Sequence, residues 1–290
     1  MGRFASCEPA PREAGASLTG GGADSCDPHP RPARARTARG RNVRILMIEL
    51  EVYCTQKVAL AESPVHCAAV SSAKTALIVW GGWEGHQPKQ AAELFSQILN
   101  ELGFAVDVQN TLDAFVDYDA VRSFNLIVPI WTMGRISQEQ AAPVLKAVSD
   151  DGVGIAGSHG GMCDAFRECT EWQFLTGGQW VAHPGDDKVR YQVNITQEHE
   201  ITRGLQDFEV TSEQYYMHVD PAVNVLASTT FPIADGPHVP NGEVRMPVVW
   251  TKRYGQGRVF YCSIGHCAHD LQVEPVRTLM KRGMAWAARA

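Results

Sequence analysis

The chain has 290 residues, 44% of them hydrophobic and 20% charged, the balance of a soluble globular protein. A net charge of −6 and a pI near 5.9 argue against nucleic acid as a partner. No apolar run approaches the roughly 18 residues that a membrane helix needs, so no membrane partner is expected.

Met1 to Arg44 is rich in Gly, Pro, Ala and Arg, and six arginines but no acid fall between Arg31 and Arg44. Such a composition cannot bury enough apolar surface to offset its ordering entropy. Residues 1–72 therefore read as a disordered extension and residues 73–290 as the folded domain. No aromatic residue interleaves the arginines, which weakens a nucleic-acid-binding reading. The apolar segment Ile45 to Tyr53 carries two acids and lacks the small-residue cleavage site of a secretory signal. Eight cysteines at irregular spacing suit a reducing compartment, and the expected location is cytoplasmic.

From Lys74 the pattern becomes regular. Thr75 to Trp80 reads as a buried parallel strand ended by Gly81-Gly82. A helix follows with Pro88 near its start, Ala91, Leu94, Phe95, Ile98, Leu99 and Leu102 at helical spacing, and Gly103 as its stop. Phe104 to Val108 is predicted as a second strand, Asp113 to Arg122 as a short helix and Leu126 to Trp131 as a third strand. Ser137 and Gln140 form a capping box for the next helix, which Pro143 should kink or delay. Gly152 to Ala156 is the fourth strand. Alternation at this spacing predicts an α/β fold, a flavodoxin-like parallel sheet with helices on both faces. Further strands are expected near Val189 to Ile195, Asn224 to Ala227, Val244 to Thr251 and Arg258 to Ser263. A closing helix shows Val276, Leu279, Met280, Met284 and Ala287 on one face.

The fourth strand runs into Gly157-Ser158-His159-Gly160-Gly161, which has the shape of a nucleophile elbow with histidine on its tip. Ligands of open parallel sheets bind beyond the carboxyl ends of the strands. Three such ends deliver a histidine among glycines: His86 after the first strand, His159 after the fourth and His266 after the late strand. Ser212 to Pro221, without clear period, adds Glu213, Tyr215 and His218.

These groups could ligate a divalent metal such as zinc, through His86, His159 and His266 with Glu213 or water. They could instead act as acid/base groups, with His159 and Glu213 as the catalytic pair. Or they could hydrogen-bond a polyhydroxyl ligand, with Trp83, Trp131, Tyr215 and His218 as substrate-binding residues. His183, His199 and His238 lie beside turn residues and read as solvated. Trp172, Trp180, Trp250 and Trp286 read as core. Cys163, Cys169, Cys262 and Cys267 read as inert thiols, Cys163 lying inside a helix rather than on the elbow.

The pentapeptide with Met162, Phe174 to Trp180, Ser212 to Tyr216 and Gly257 to His266, in that order, resembles the ThuA-like (trehalose-utilisation) family across Lys74 to Ala290. The resemblance implies the class I glutamine amidotransferase-like fold in a branch that has lost the cysteine nucleophile. It also implies carbohydrate metabolism: trehalose or another disaccharide, or a keto-sugar. The expectation is an enzyme working on a sugar carbonyl or hydroxyl, metal-assisted, with a small-molecule sugar as partner and no nucleotide cofactor. The alternative is a non-catalytic sugar-binding or regulatory module, and a homo-oligomer is compatible with either.

Overall fold

A computed structural model of the chain describes residues 73–290, so the disordered extension expected over residues 1–72 lies outside the described residues. The first half alternates as predicted. Strands β1 (Thr75–Gly82), β2 (Ala105–Gln109), β3 (Leu126–Thr132) and β4 (Gly154–Ser158) are separated by helices α1 (Pro88–Glu101), α2 (Tyr118–Ser123) and α3 (Gln138–Asp151). After β4 come two short helices, α4 (His159–Cys163) and α5 (Thr170–Thr176). Seven strands follow: β5 (Gly178–Ala182), β6 (Val189–Ile195), β7 (Phe208–Ser212), β8 (Tyr216–Val219), β9 (Asn224–Phe231), β10 (Val244–Tyr254) and β11 (Gly257–Cys262). Helix α6 (Glu274–Ala287) closes the fold with the five predicted apolar residues buried.

Nine strands form one sheet in the order β2-β1-β3-β4-β11-β10-β9-β6-β7. The first five are parallel, in the flavodoxin-like order. The remaining neighbours pair antiparallel, so the sheet is mixed where the sequence suggested parallel strands throughout. Chain length between strands explains the switch. Parallel neighbours need a crossover of a dozen residues or more, whereas β10 reaches β11 through Gly255-Gln256 alone, which permits only a hairpin. Gly255 has φ +56°, and a Cβ there would meet the Ser149 carbonyl oxygen at 2.3 Å, so only glycine makes this turn.

Successive residues of the parallel strands feed opposite layers. Ala76, Ile78 and Val128 pack with α1 and α6, while Leu77, Val79 and Ile127 pack with α3 and its neighbours. Burial on both faces is why these strands read as unbroken apolar runs. The predicted capping box is present at Ser137, and α3 begins at Gln138, so Pro143 does not delay it. The helix expected over 113–122 is instead a 3-10 turn at Leu112–Phe115 and then α2. Thr111 caps the turn and Asp117 caps α2, two start signals that split the segment.

Strands β5 and β8 form a separate two-stranded ribbon. Just past its end, Asp220 Oδ2 lies 2.7 Å from Lys252 Nζ, whose side chain is 5% exposed. The ammonium also donates to the Phe174 carbonyl and lies over the Phe174 ring. Lys252 first, and a backbone N–H second, hold the Asp220 carboxyl below its ordinary value. A depressed folded value means that on acidification the unfolded chain takes up the proton first. The contribution is therefore full above the ordinary value of 3.8 and is lost as pH falls through the folded one. Asp220→Asn should cost about 1–3 kcal/mol at neutral pH in urea melts. That deficit should shrink as pH falls through the folded value; an unchanged deficit there would assign it to packing rather than charge.

Candidate functional site

Strand β4 is buried along its whole length and ends at Ser158. His159 then takes φ +47°, the left-handed turn that swings the chain into α4 and lifts its side chain above the sheet edge. Neighbouring groups crowd the backbone here. A Cβ on Gly160 would come within 2.6 Å of His86 Cε1, and one on Gly157 within 2.8 Å of Met162. Tyr261 Oη donates to the His159 carbonyl oxygen at 3.1 Å, and the Tyr215 ring stacks on the imidazole at 3.9 Å. The elbow is thus fixed from beneath and from one side.

Three loops converge on it. His86 ends a 3-10 turn (Glu84–His86) after β1, and His266 follows β11. Glu213 follows β7 in the antiparallel half, its carbonyl oxygen accepting from Tyr191 Oη at 3.2 Å. One donor atom from each of His86, His159, Glu213 and His266 lies within 4.8 Å of every other. The Glu213 carboxylate is the hub: Oε2 is 3.0 Å from His159 Nε2 and 3.9 Å from His86 Nε2, while Oε1 is 3.1 Å from His266 Nδ1. His159 is 1% exposed, Glu213 5% and His86 9%, while His266 is half-buried at the rim.

The hydrogen bonds behind the rings decide what faces inward. His159 Nδ1 lies 2.7 Å from the Ser263 carbonyl oxygen, an atom that only accepts, so Nδ1 carries the proton. Nε2 then points its other valence at Glu213, at a distance suited to a shared proton or to two ligands of one cation. His86 repeats the arrangement, with Nδ1 2.8 Å from Thr132 Oγ1 and Nε2 inward. Metal-ligating histidines are held in this way, the far nitrogen bound to a carbonyl or similar group and the near one free to coordinate.

Electrostatics follow from burial and crowding. Burial, reinforced by His159 and opposed by Glu213, presses His86 down to about 3. Burial works to raise the Glu213 carboxyl, but hydrogen bonds from His159 and His266 outweigh it and hold it well below the usual range. The carboxylate beside it raises His266 against its partial burial. One anion is therefore ringed by imidazoles, His86 among them neutral near pH 7.

This site stands on a fold with known relatives, and residues 75–287 match the trehalose-utilisation family, ThuA. The chain belongs to the ThuA family. A ThuA-like protein from Bacteroides uniformis superposes with TM-score 0.60 at 19% identity, over 77% of this chain and 95% of that one. One from Parabacteroides merdae gives TM-score 0.58 at 20% identity, over 74% and 89%. A cytoplasmic protein of Salmonella typhimurium gives 0.54 at 13%, over 74% and 100%. At these identities the likeness establishes the shared α/β fold. No curated protein matches the sequence. No helix of the described residues is long and apolar enough to cross a membrane.

In this ThuA-family chain, the sequence-selected residues divide by position. His86, His159, His266, Glu213 and Tyr215 come together. Trp83 stands at the rim, 45% exposed, its ring edge-on to His86 at 4.7 Å. Trp131 is wedged among glycines, where a Cβ on Gly81 or Gly134 would meet its ring at 2.5 or 2.6 Å. His218 is exposed on the ribbon opposite Gln179, and no contact among the described residues links it to the cluster.

Two residues correct the sequence reading. His183, expected to be solvated, has Nδ1 3.6 Å from Glu213 Oε1, and Trp180, expected in the core, is half-buried beside it with ring centroids 5.5 Å apart. The ribbon register pairs Ala182 with Tyr216 and so carries residue 183 to Tyr215 and Glu213. The signal that could have found them was the β5–β8 pairing, absent from the predicted elements. Trp172 and Trp250 are core as expected, and Trp286 is partly buried under the Arg258 guanidinium.

Cys163 lies inside α4 at 1% exposure, where burial pushes its thiol well up; the Cys262 thiol is pushed up to about 12. Neither supplies a thiolate nucleophile near pH 7. Iodoacetamide on the native protein should label Cys169 and Cys267, both partly exposed, and spare Cys163 and Cys262 until denaturant is added. Peptide mass mapping reads the outcome.

Proposed function

We propose that this ThuA-family chain is a cytoplasmic, metal-assisted enzyme of carbohydrate metabolism acting on the carbonyl or hydroxyls of a mono- or disaccharide derivative. The observation that carries the reading is the inward turn of His86 and His159 toward Glu213, each with its rear nitrogen engaged. The donor set fits a divalent ion of the zinc type. Two ligands at about 2.0–2.1 Å from one ion stand roughly 3–3.5 Å apart, as the His159–Glu213 and His266–Glu213 contacts do. His266 Nδ1, 3.1 Å from Glu213 Oε1, adds a third imidazole nitrogen to the set. His86, His159, His266 and Glu213 would hold the ion, which supplies a Lewis acid for a sugar oxygen pair.

The chain's own groups do the rest. Ser263 and Thr132 keep the His159 and His86 rings oriented without reorganisation. The buried tier excludes water from one side, while Trp83 offers a flat apolar face at the rim. Glu213, held ionised, can accept a hydrogen bond from a sugar hydroxyl bound against it and so help to orient the sugar. A metal-free binding module uses the same aromatic surfaces but needs no inward ligand geometry.

Elemental analysis of the full chain after mild purification should find near one zinc-type ion per chain. Trehalose, D-glucose or a related sugar should raise the thermal midpoint. Failure to retain or reload zinc would remove the metal from the proposal, and sugar binding without it would favour the binding-module reading.

A further inference from the structure

The ribbon places two more ring nitrogens beside the cluster, and the donor set uses neither. Trp180 Nε1 and His183 Nδ1 are both buried without a hydrogen bond among the described residues, although His183 Nδ1 lies 3.6 Å from Glu213 Oε1 and 3.8 Å from Asp186 Oδ1. Buried polar atoms are almost always satisfied, so two adjacent orphans at a functional site call for a ligand. Their rings lie 33° from parallel. The wall they form is braced. The Arg167 guanidinium packs on the Trp180 ring at 4.6 Å and is itself clamped by both oxygens of buried Asp164. On the inner side both rings approach Tyr215, at 6.2 and 6.3 Å, and Tyr215 stacks on His159. The His183 side chain is 32% exposed, so this aromatic row runs from the buried elbow out to solvent.

We propose that Trp180 and His183 are the hydroxyl-recognition wall of the sugar site, hydrogen-bonding substrate oxygens next to those held at Glu213. The inference rests on the sugar reading of the preceding subsection and adds the residues that set its specificity. An indole N–H only donates, and a pyranose offers acceptor oxygens at neighbouring carbons, so the partner is a polyol rather than a cation. A sugar lacking the contacted hydroxyl leaves the orphans unpaired and is discriminated against.

The test uses the full chain loaded with zinc and titrated with trehalose and D-glucose, read by calorimetry and by tryptophan emission. Trp180→Phe and His183→Ala are each expected to raise the sugar Kd by about 10-fold or more, with zinc content unchanged. Trp180→Phe should also reduce the emission change, and His183→Gln, which retains a side-chain donor, should recover part of the loss. Sugar binding of wild-type strength in both Trp180→Phe and His183→Ala would overturn the wall, as would loss of zinc in either. Should Trp180→Phe fail to fold by circular dichroism, the His183→Ala and His183→Gln pair decides alone. A wild-type chain that holds zinc but binds neither sugar sinks the sugar reading itself, a different outcome from an indifferent variant.

Discussion

Glutamine in place of Glu213 is expected to weaken divalent-ion binding by on the order of 10²-fold or more, measured by competition against a chelator. The side chain keeps its size, and the backbone bond from Tyr191 to residue 213 is untouched, so circular dichroism should change little, while loss of the charge that His159 and His266 face should lower the chelated thermal midpoint modestly. What disappears is the one anion that His86, His159, His183 and His266 all face. An amide brings a weaker acceptor, and its NH2 group satisfies the inward histidine nitrogen that coordination would otherwise use. His159→Ala contrasts with it. That change leaves the buried carboxylate without its 3.0 Å partner, so it should lower both ion affinity and, by about 1–3 kcal/mol, stability. Zinc bound as tightly by the Gln variant as by wild type would remove Glu213 from the ligand set.

The contrast between Glu213 and His159 also marks how far the sequence could be read. His159 was legible with its element, because β4 is buried on both faces and its apolar run ends in glycines that only a tight turn requires. The same holds for β1 with His86 and β11 with His266. Glu213 was legible as chemistry but not as geometry. Its strand β7 lies at the sheet edge with alternating burial over five residues, and β5 begins at a glycine and pairs only with β8. Short edge and ribbon strands carry too few apolar positions to show a period. His183 and Trp180 depend entirely on that ribbon register, so their placement beside Glu213 left no local trace. His218, on the same ribbon, shows the reverse error: strand alternation turns it to the opposite face from Met217.

Gly160→Ala is expected to damage the site without touching a ligand, and by a traceable route. The new methyl would sit 2.6 Å from His86 Cε1, 2.7 Å from Nδ1 and 3.0 Å from Thr132 Cγ2. One group must move, and Thr132 is fixed in β3, where its carbonyl accepts from Trp83. The imidazole therefore yields, which breaks its bond to Thr132 Oγ1 and turns Nε2 away from Glu213. Overpacking of this kind costs about 1–3 kcal/mol, and loss of a histidine's supporting bond about 10–100-fold in ion affinity. A double-mutant cycle separates the route from a general loss of packing. With His86→Ala as the second change there is no ring to displace, so adding Gly160→Ala should cost little further ion affinity. Additive losses would mean that Gly160 serves the elbow itself rather than the seat of His86.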